Sequence, residues 1–242
     1  MQRWQVLTIG GLLGVASLWL VPFEVLVPEI DFTVNLRLVT LIQPAILTLV
    51  AVLVGQYLAP KVGLGAPLLD AALTKGSVTA ALRQILPLAL FAGLVSALIL
   101  IAHAAYVVPK IAQSSALGAQ LSSFEMPILT KLLYGGITEE LLTRWGLMSL
   151  FVWLGWRLSG RPEHTRKLVI WFAIIGSALM FALGHLPLLI MISPDPQPWL
   201  VIEVLLGNTI PGVLFGWLFW RKGIEAAMLA HMLAHLISTV FA

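Results

Sequence analysis

Seven long apolar stretches dominate the chain, at 5–23, 38–58, 86–108, 127–156, 168–192, 199–220 and 224–242. Each approaches or exceeds the roughly 20 apolar residues that a helix needs to cross a bilayer. The fourth is the longest and is interrupted by polar groups. Between the second and third, 67–83 is less apolar and carries Asp70, Lys75 and Arg83. It reads as an amphipathic surface helix or a loop. The stretch 111–124, rich in Ser, Ala and Gln, reads as a loop. The pattern predicts an all-α fold: one polytopic transmembrane helix bundle of about seven spans. Arg3 followed by an apolar run resembles a secretory leader. The small residues there make a poor cleavage site and the run continues to Phe23, so it is taken as the first span.

Composition supports a bilayer as the solvent. Hydrophobic residues make up 60% and charged residues 10%, against about 25% charged in a soluble domain. The absence of cysteine excludes disulfides, thiol nucleophiles and Cys-ligated metals. Nothing points to nucleic acid, and the partner that composition implies is membrane lipid. Basic residues set the orientation. With the N-terminus inside, inner segments hold Arg3, Lys61, Lys75, Arg83, Arg157, Arg161, Arg166, Lys167, Arg221 and Lys222. Outer segments hold Arg37, Lys110 and Lys131, together with Glu24, Glu29, Asp31, Glu125, Asp195 and Glu203. This gives N-inside and C-outside, and no organelle-targeting segment is visible, which favours a bacterial-type plasma (inner) membrane.

Against this background six ionisable residues in the later spans stand out: Glu139, Glu140, Arg144, His185, His231 and His235. A charge at the centre of a span costs at least about 2.5–3.5 kcal/mol, so each needs a partner or a function. Glu140 and Arg144, four apart, share a helix face in the favourable order and read as a structural pair. Glu139 points about 100° away, lacks that partner, and is left for chemistry. His185 ends Phe181-Ala182-Leu183-Gly184-His185. His231 and His235 share one face of the last span. No Glu follows His231, so this is not the H-E-x-x-H zinc motif. His103 has no polar neighbour in helical register and reads as a core histidine. At about 1.5 Å per residue, Glu139, His185 and His231 fall roughly 18, 15 and 17 Å from the outer ends of their helices. Three helices thus bring polar groups to one layer.

A carboxylate and an imidazole within reach of one water form a general base. His231 and His235 could then stabilise the oxyanion of a tetrahedral intermediate. The same residues could instead hold a divalent metal such as zinc, with Glu139, His185, His231 and His235 as ligands. Both routes lead to hydrolysis.

The residues Glu139-Glu140-Leu141-Leu142-Thr143-Arg144, Phe181 to His185, and His231 to His235 read in order E-E-x-x-x-R, F-x-x-x-H and H-x-x-x-H. Asn208-Thr209-Ile210-Pro211-Gly212 and Phe215-Gly216-Trp217 lead into the third. In these motifs the chain resembles the CPBP family of intramembrane proteases, which includes the type II CAAX prenyl endopeptidases. The resemblance covers 127 to the C-terminus. It implies a protease core at 127–242, preceded by N-terminal spans and loops at 1–126. It also implies water activation by Glu139 with His185, oxyanion binding by His231 and position 235, and a structural role for Glu140 and Arg144. It implies a glutamate-dependent endopeptidase that needs no cofactor, metal being the lesser alternative, acting on a membrane-associated substrate, prenylated or not. Position 235 departs from the prenyl endopeptidases, which have Asn there. A neutral imidazole still donates one hydrogen bond, and it is also a better metal ligand. Two other classes compete: a non-catalytic membrane scaffold or immunity-type protein on the same fold, and a proton- or ion-coupled transporter. The halves show no repeat symmetry that would support the transporter.

Overall fold

The computed structural model describes residues 2–26, 31, 33–114, 124–193 and 195–241. Glu29, most of 111–124 and the terminal Ala242, all used in the sequence reading, lie outside them. The described chain is all-helical. The helices used below are α1 (Arg3–Ser17), α2 (Val34–Leu58), α3 (Pro67–Leu73) and α4 (Val78–Tyr106), then α5 (Lys167–Leu183), α6 (Leu186–Ile192), α7 (Pro198–Lys222) and α8 (Ile224–Phe241). Between α4 and α5 runs a central helix. It comprises a turn at Ile128–Thr130, two π-helical stretches at Lys131–Glu139 and Leu141–Met148, and an α-helix at Ser149–Leu158.

Local sequence explains the helix starts. Leu36 N–H donates to Thr33 Oγ1 ahead of α2, and Ala80 N–H donates to Ser77 Oγ ahead of α4, each satisfying one of the donors that a helix N-terminus leaves open. The segment 67–83 divides: its first part is the short helix α3, and 78–83 is the opening of α4 rather than part of a surface helix or loop. Gly184 and Pro187 end α5, since a proline ring cannot continue the helical ladder. His185 therefore sits at the junction of α5 and α6, not inside one straight span.

Among the described residues five helices are long and apolar enough to cross a membrane: Val34–Val62, Val78–Gln113, Lys167–Met191, Pro198–Lys222 and Ile224–Phe241. The chain is an integral membrane protein, and the expected count of about seven is corrected to five. At 15 residues α1 extends only about 22 Å, short of the roughly 30 Å hydrocarbon core. The central helix carries too many polar residues. Enclosed by α1, α2, α5 and α8, it has no need of a lipid-compatible surface.

The outward faces are apolar, with Leu53, Phe91 and Phe172 more than half exposed. A bilayer, not water, is the medium that such faces fit. Inside, one core joins Leu7, Val52 and Ile85 to Leu141, Trp145, Ile174, Phe215 and Ala230. Close backbone approach at small residues holds it together, as in other membrane bundles: α8 packs along α4 and α7 along α5. Arg3 pairs with Asp70 at 2.7 Å, tying α1 to α3, and Leu69 N–H donates to Glu225 at 2.8 Å, tying α3 to α8.

The turn from α7 to α8 is a single residue, Gly223, at φ +90°, where a Cβ would lie 2.1 Å from Pro67 Cδ. Ile224 N–H then donates to Gly65 O at 3.1 Å. Gly223→Ala is expected to lower stability by about 1–3 kcal/mol from backbone strain alone, seen as an earlier thermal melt in detergent. A melt equal to wild type would refute the requirement for glycine.

Candidate active site

The central helix places the acids. Its π-helical stretches close i to i+5 bonds, a winding that favours functional positions. Thr138 Oγ1 donates to Gly11 O of α1 at 2.8 Å, and Thr143 Oγ1 donates to the Glu139 carbonyl. The first of these bonds ties the helix to α1 just before the two glutamates.

Glu140 and Arg144 are paired as expected, Oε1 to Nη1 at 3.2 Å, with neither side chain exposed at all. Arg144 also donates from Nη2 to Gly212 O of α7 at 2.9 Å and from Nη1 to Thr143 Oγ1. Its guanidinium lies 5.2 Å from the Phe181 ring centroid and 5.7 Å from that of Phe215, distances at which a cation gains from the ring faces. Glu140 has a second partner that sequence reasoning missed. Its Oε1 lies 2.9 Å from His231 Nδ1. The acid read as purely structural is therefore also the orienting group for a candidate oxyanion donor.

His231 is nearly fully buried and stacks on Phe215 and on His235, with centroids 4.8 Å apart in each case. The i, i+4 spacing on α8 brings the two imidazoles together as predicted. Gly135 makes room for them: a Cβ there would lie 2.8 Å from His235 Nε2. His185 Nδ1 lies 2.9 Å from the Phe181 carbonyl. A carbonyl only accepts, so Nδ1 carries the proton and Nε2 keeps its lone pair.

Glu139, His185, His231 and His235 all line one cavity of about 240 Å³. Glu139, half-buried, has no hydrogen bond or ion pair to its carboxylate among the described residues. The cavity is also lined by Ser96 and Leu100 of α4, by Lys131 and Tyr134 of the central helix, and by Asn208 of α7. Ser96, Leu100 and Tyr134 were not singled out from sequence, while Lys131 was used only for orientation and Asn208 only as part of the approach to the third motif. Tyr134 stands five before Glu139, a spacing that the π-helix brings into register and an α-helical reading does not. Ser96 is a small hydroxyl in an apolar run, cheap to bury and so a weak signal. Its Oγ is buried without a partner. His103, read as a core residue, lines a second cavity of about 370 Å³ with Glu203 of α7.

Among the described residues no group of three or more His, Cys, Asp or Glu side chains is placed to hold a metal ion. The zinc ligand set of Glu139, His185, His231 and His235 is thus not assembled, although the four residues share the cavity.

A family model described as type II CAAX prenyl endopeptidase Rce1-like matches residues 122–237. The match spans the central helix and α5 to α8, and with them all the motif residues. No curated protein and no solved structure matches the chain.

Proposed function

Because residues 122–237 place this chain in the type II CAAX prenyl endopeptidase Rce1-like family, we propose that it is an intramembrane endopeptidase that hydrolyses a peptide bond of a membrane-associated substrate, prenylated substrates included. The observation that carries this reading is the convergence of Glu139, His185, His231 and His235 on one cavity within the bundle. Residues 127–242 form the protease core, and 1–126 supply α1 to α4, of which α4 lines the cavity through Ser96, joined by Leu18 in the turn after α1.

In the proposed mechanism a water enters between Glu139 and His185. The Glu139 carboxylate takes one proton, helped by the free Nε2 of His185. The hydroxide attacks the scissile carbonyl, whose oxygen becomes the oxyanion. His235, as a neutral imidazole, offers one N–H. His231, its ring fixed by the bond between Nδ1 and Glu140, lines the same cavity beside the oxyanion. Collapse of the intermediate breaks the C–N bond, and Glu139 returns its proton to the leaving amine. No step requires a metal.

The lining of the cavity is largely apolar, with Leu18, Leu100, Met126, Phe181 and Phe215. The second cavity adjoins it at Gly207, along α4 and α7, with Ile99, Tyr106, Leu206 and Ile210 in its wall. That seam has room for a lipid substituent beside the peptide. One end of the bundle carries Arg3, Lys61, Arg157, Arg221 and Lys222. By the charge rule this end faces the cytoplasm of a bacterial-type plasma membrane.

The test is cleavage of fluorogenic peptides by the purified protein in detergent, prenylated and unprenylated, with and without a chelator. Cleavage that survives the chelator and favours the prenylated peptide is expected. Loss with chelator would move the assignment to a metalloenzyme. Failure to cleave any peptide would favour a non-catalytic scaffold on this fold.

A further inference from the structure

The catalytic cavity lies towards one end of the bundle, and helix directions say which. Arg3 begins α1, Lys61 follows α2, Arg157 ends the central helix, and Arg221 and Lys222 end α7. These mark the basic end. The central helix lines the cavity through Lys131, Tyr134, Gly135 and Glu139, and through nothing beyond Glu139. From α5 only the distal Phe181 contributes, with His185 just past the helix. Ser96 and Leu100 belong to the second half of α4, and Leu18 to the turn after α1. Each of these positions is displaced away from the basic end. At the far limit Met126 is 38% exposed, and the bond from Lys131 Nζ to Thr239 Oγ1 lies at the surface. The cavity has its mouth there.

Towards the basic end the bundle is solid. Past Glu139 the central helix buries Leu141, Trp145, Met148 and Val152 completely, a run of about three turns. Leu218 and Phe219 of α7 and Ile224 and Ala227 of α8 are at most 1% exposed and pack into the same core. An interior packed like this has few voids larger than a water molecule, so neither water nor a peptide passes through it. A separate cavity of about 390 Å³, walled by Leu7, Leu69, Ile137 and Leu141 among others, reaches the central helix from the side of α1 and α3. It shares no lining residue with the catalytic one.

Resting on the peptidase reading, we infer that the active site is loaded from the face opposite the basic end, so that its substrate is a polypeptide segment presented on the extracytoplasmic side. Such a segment is a translocated chain or the outer end of a membrane-spanning one. The basic end faces the cytoplasm by the charge rule, and a chain held there would have to cross the packed core to reach Glu139. The same mouth admits the water that hydrolysis consumes and that the hydrocarbon core does not supply. In detergent both ends of the bundle are open to solvent, so cleavage of a peptide there does not report the face.

The chain contains no cysteine, so single-cysteine variants report exposure directly. Leu100→Cys and Asn208→Cys place thiols on the cavity wall from two different helices, so that one variant that fails to fold does not end the test. Glu125→Cys marks the mouth, and Glu163→Cys marks the loop at the basic end. A membrane-impermeant sulfonated maleimide is applied to sealed right-side-out and inverted vesicles, and labelling is read as a mass shift of the purified protein. The wall and mouth thiols are expected to react in right-side-out vesicles alone, and Glu163→Cys in inverted ones alone. Wall thiols that react only in inverted vesicles or in neither, or a Glu163→Cys that reacts from outside, would overturn the inference. With a wall thiol blocked from outside, cleavage of a fluorogenic peptide added outside should be lost. A peptide sealed inside right-side-out vesicles should stay intact, and its cleavage there would equally overturn the inference. If labelling is one-sided as expected yet no peptide is cut from either side, the outward opening stands and the peptidase reading falls.

Discussion

Glu139→Ala removes peptide cleavage while leaving the protein folded. The expected fall in kcat is about 10²–10⁴-fold, the usual contribution of a positioned general base, with a melting temperature close to wild type. The second half of this prediction follows from geometry. The Glu139 carboxylate has no hydrogen-bond or ion-pair partner among the described residues, so truncating it orphans no buried group. Large losses of stability come from a short list of causes, and leaving a buried partner unsatisfied is among the chief ones. Glu139→Gln should behave in the same way, because it keeps the shape and removes the base. Activity in both variants would end the role of Glu139 as base. A variant that unfolds would instead support the scaffold reading, in which Glu139 is part of a polar core.

The contrast between adjacent glutamates shows what was legible in the sequence. Charges within apolar spans are so costly that they mark themselves, so both acids, Arg144 and the three histidines could be named from the pattern. The Glu140–Arg144 pair was legible too, because i, i+4 spacing fixes a shared face. Long-range partners were not. Glu140 meets His231 across 91 positions, and no local period encodes that contact. The π-helical winding was hidden for a related reason. Within it Gly135 and Gly136 pack against His235 and Met232 of a distant helix, whereas a sequence is read with an α-helical ruler. That ruler missed Tyr134. Length alone misled at α1, where an apolar run to Phe23 contains a helix that ends at Ser17. The contribution of α4 to the cavity was silent, since Ser96 and Leu100 are ordinary residues in an apolar helix. It lies outside the stretch that matches the family as well.

Glu140→Ala has the opposite signature to Glu139→Ala. It leaves the Arg144 guanidinium, which is not exposed at all, without its counter-charge. Breaking a buried pair in this way typically costs about 3–5 kcal/mol, a large share of the 5–15 kcal/mol that holds an ordinary domain together. The bonds from Arg144 to Gly212 O and Thr143 Oγ1 satisfy donors but do not neutralise the charge. The single variant should therefore melt well below wild type or fail to accumulate. Folding loss alone would not reveal whether Glu140 also orients His231, so the informative protein is the double variant Glu140→Leu with Arg144→Met. Apolar replacement of both members of a buried pair is often neutral or stabilising. Here recovery should be helped by the imperfect satisfaction of the native pair, since Glu140 Oε2 and Arg144 Nε lack hydrogen-bond partners. The double variant is expected to regain most of the lost stability and little of the activity, because His231 no longer has a carboxylate on Nδ1 to fix its ring. Full recovery of both would reduce Glu140 to a structural residue and leave His231 without a catalytic anchor. Recovery of neither would show that the Arg144 bonds to α7, rather than the ion pair, hold this part of the bundle together.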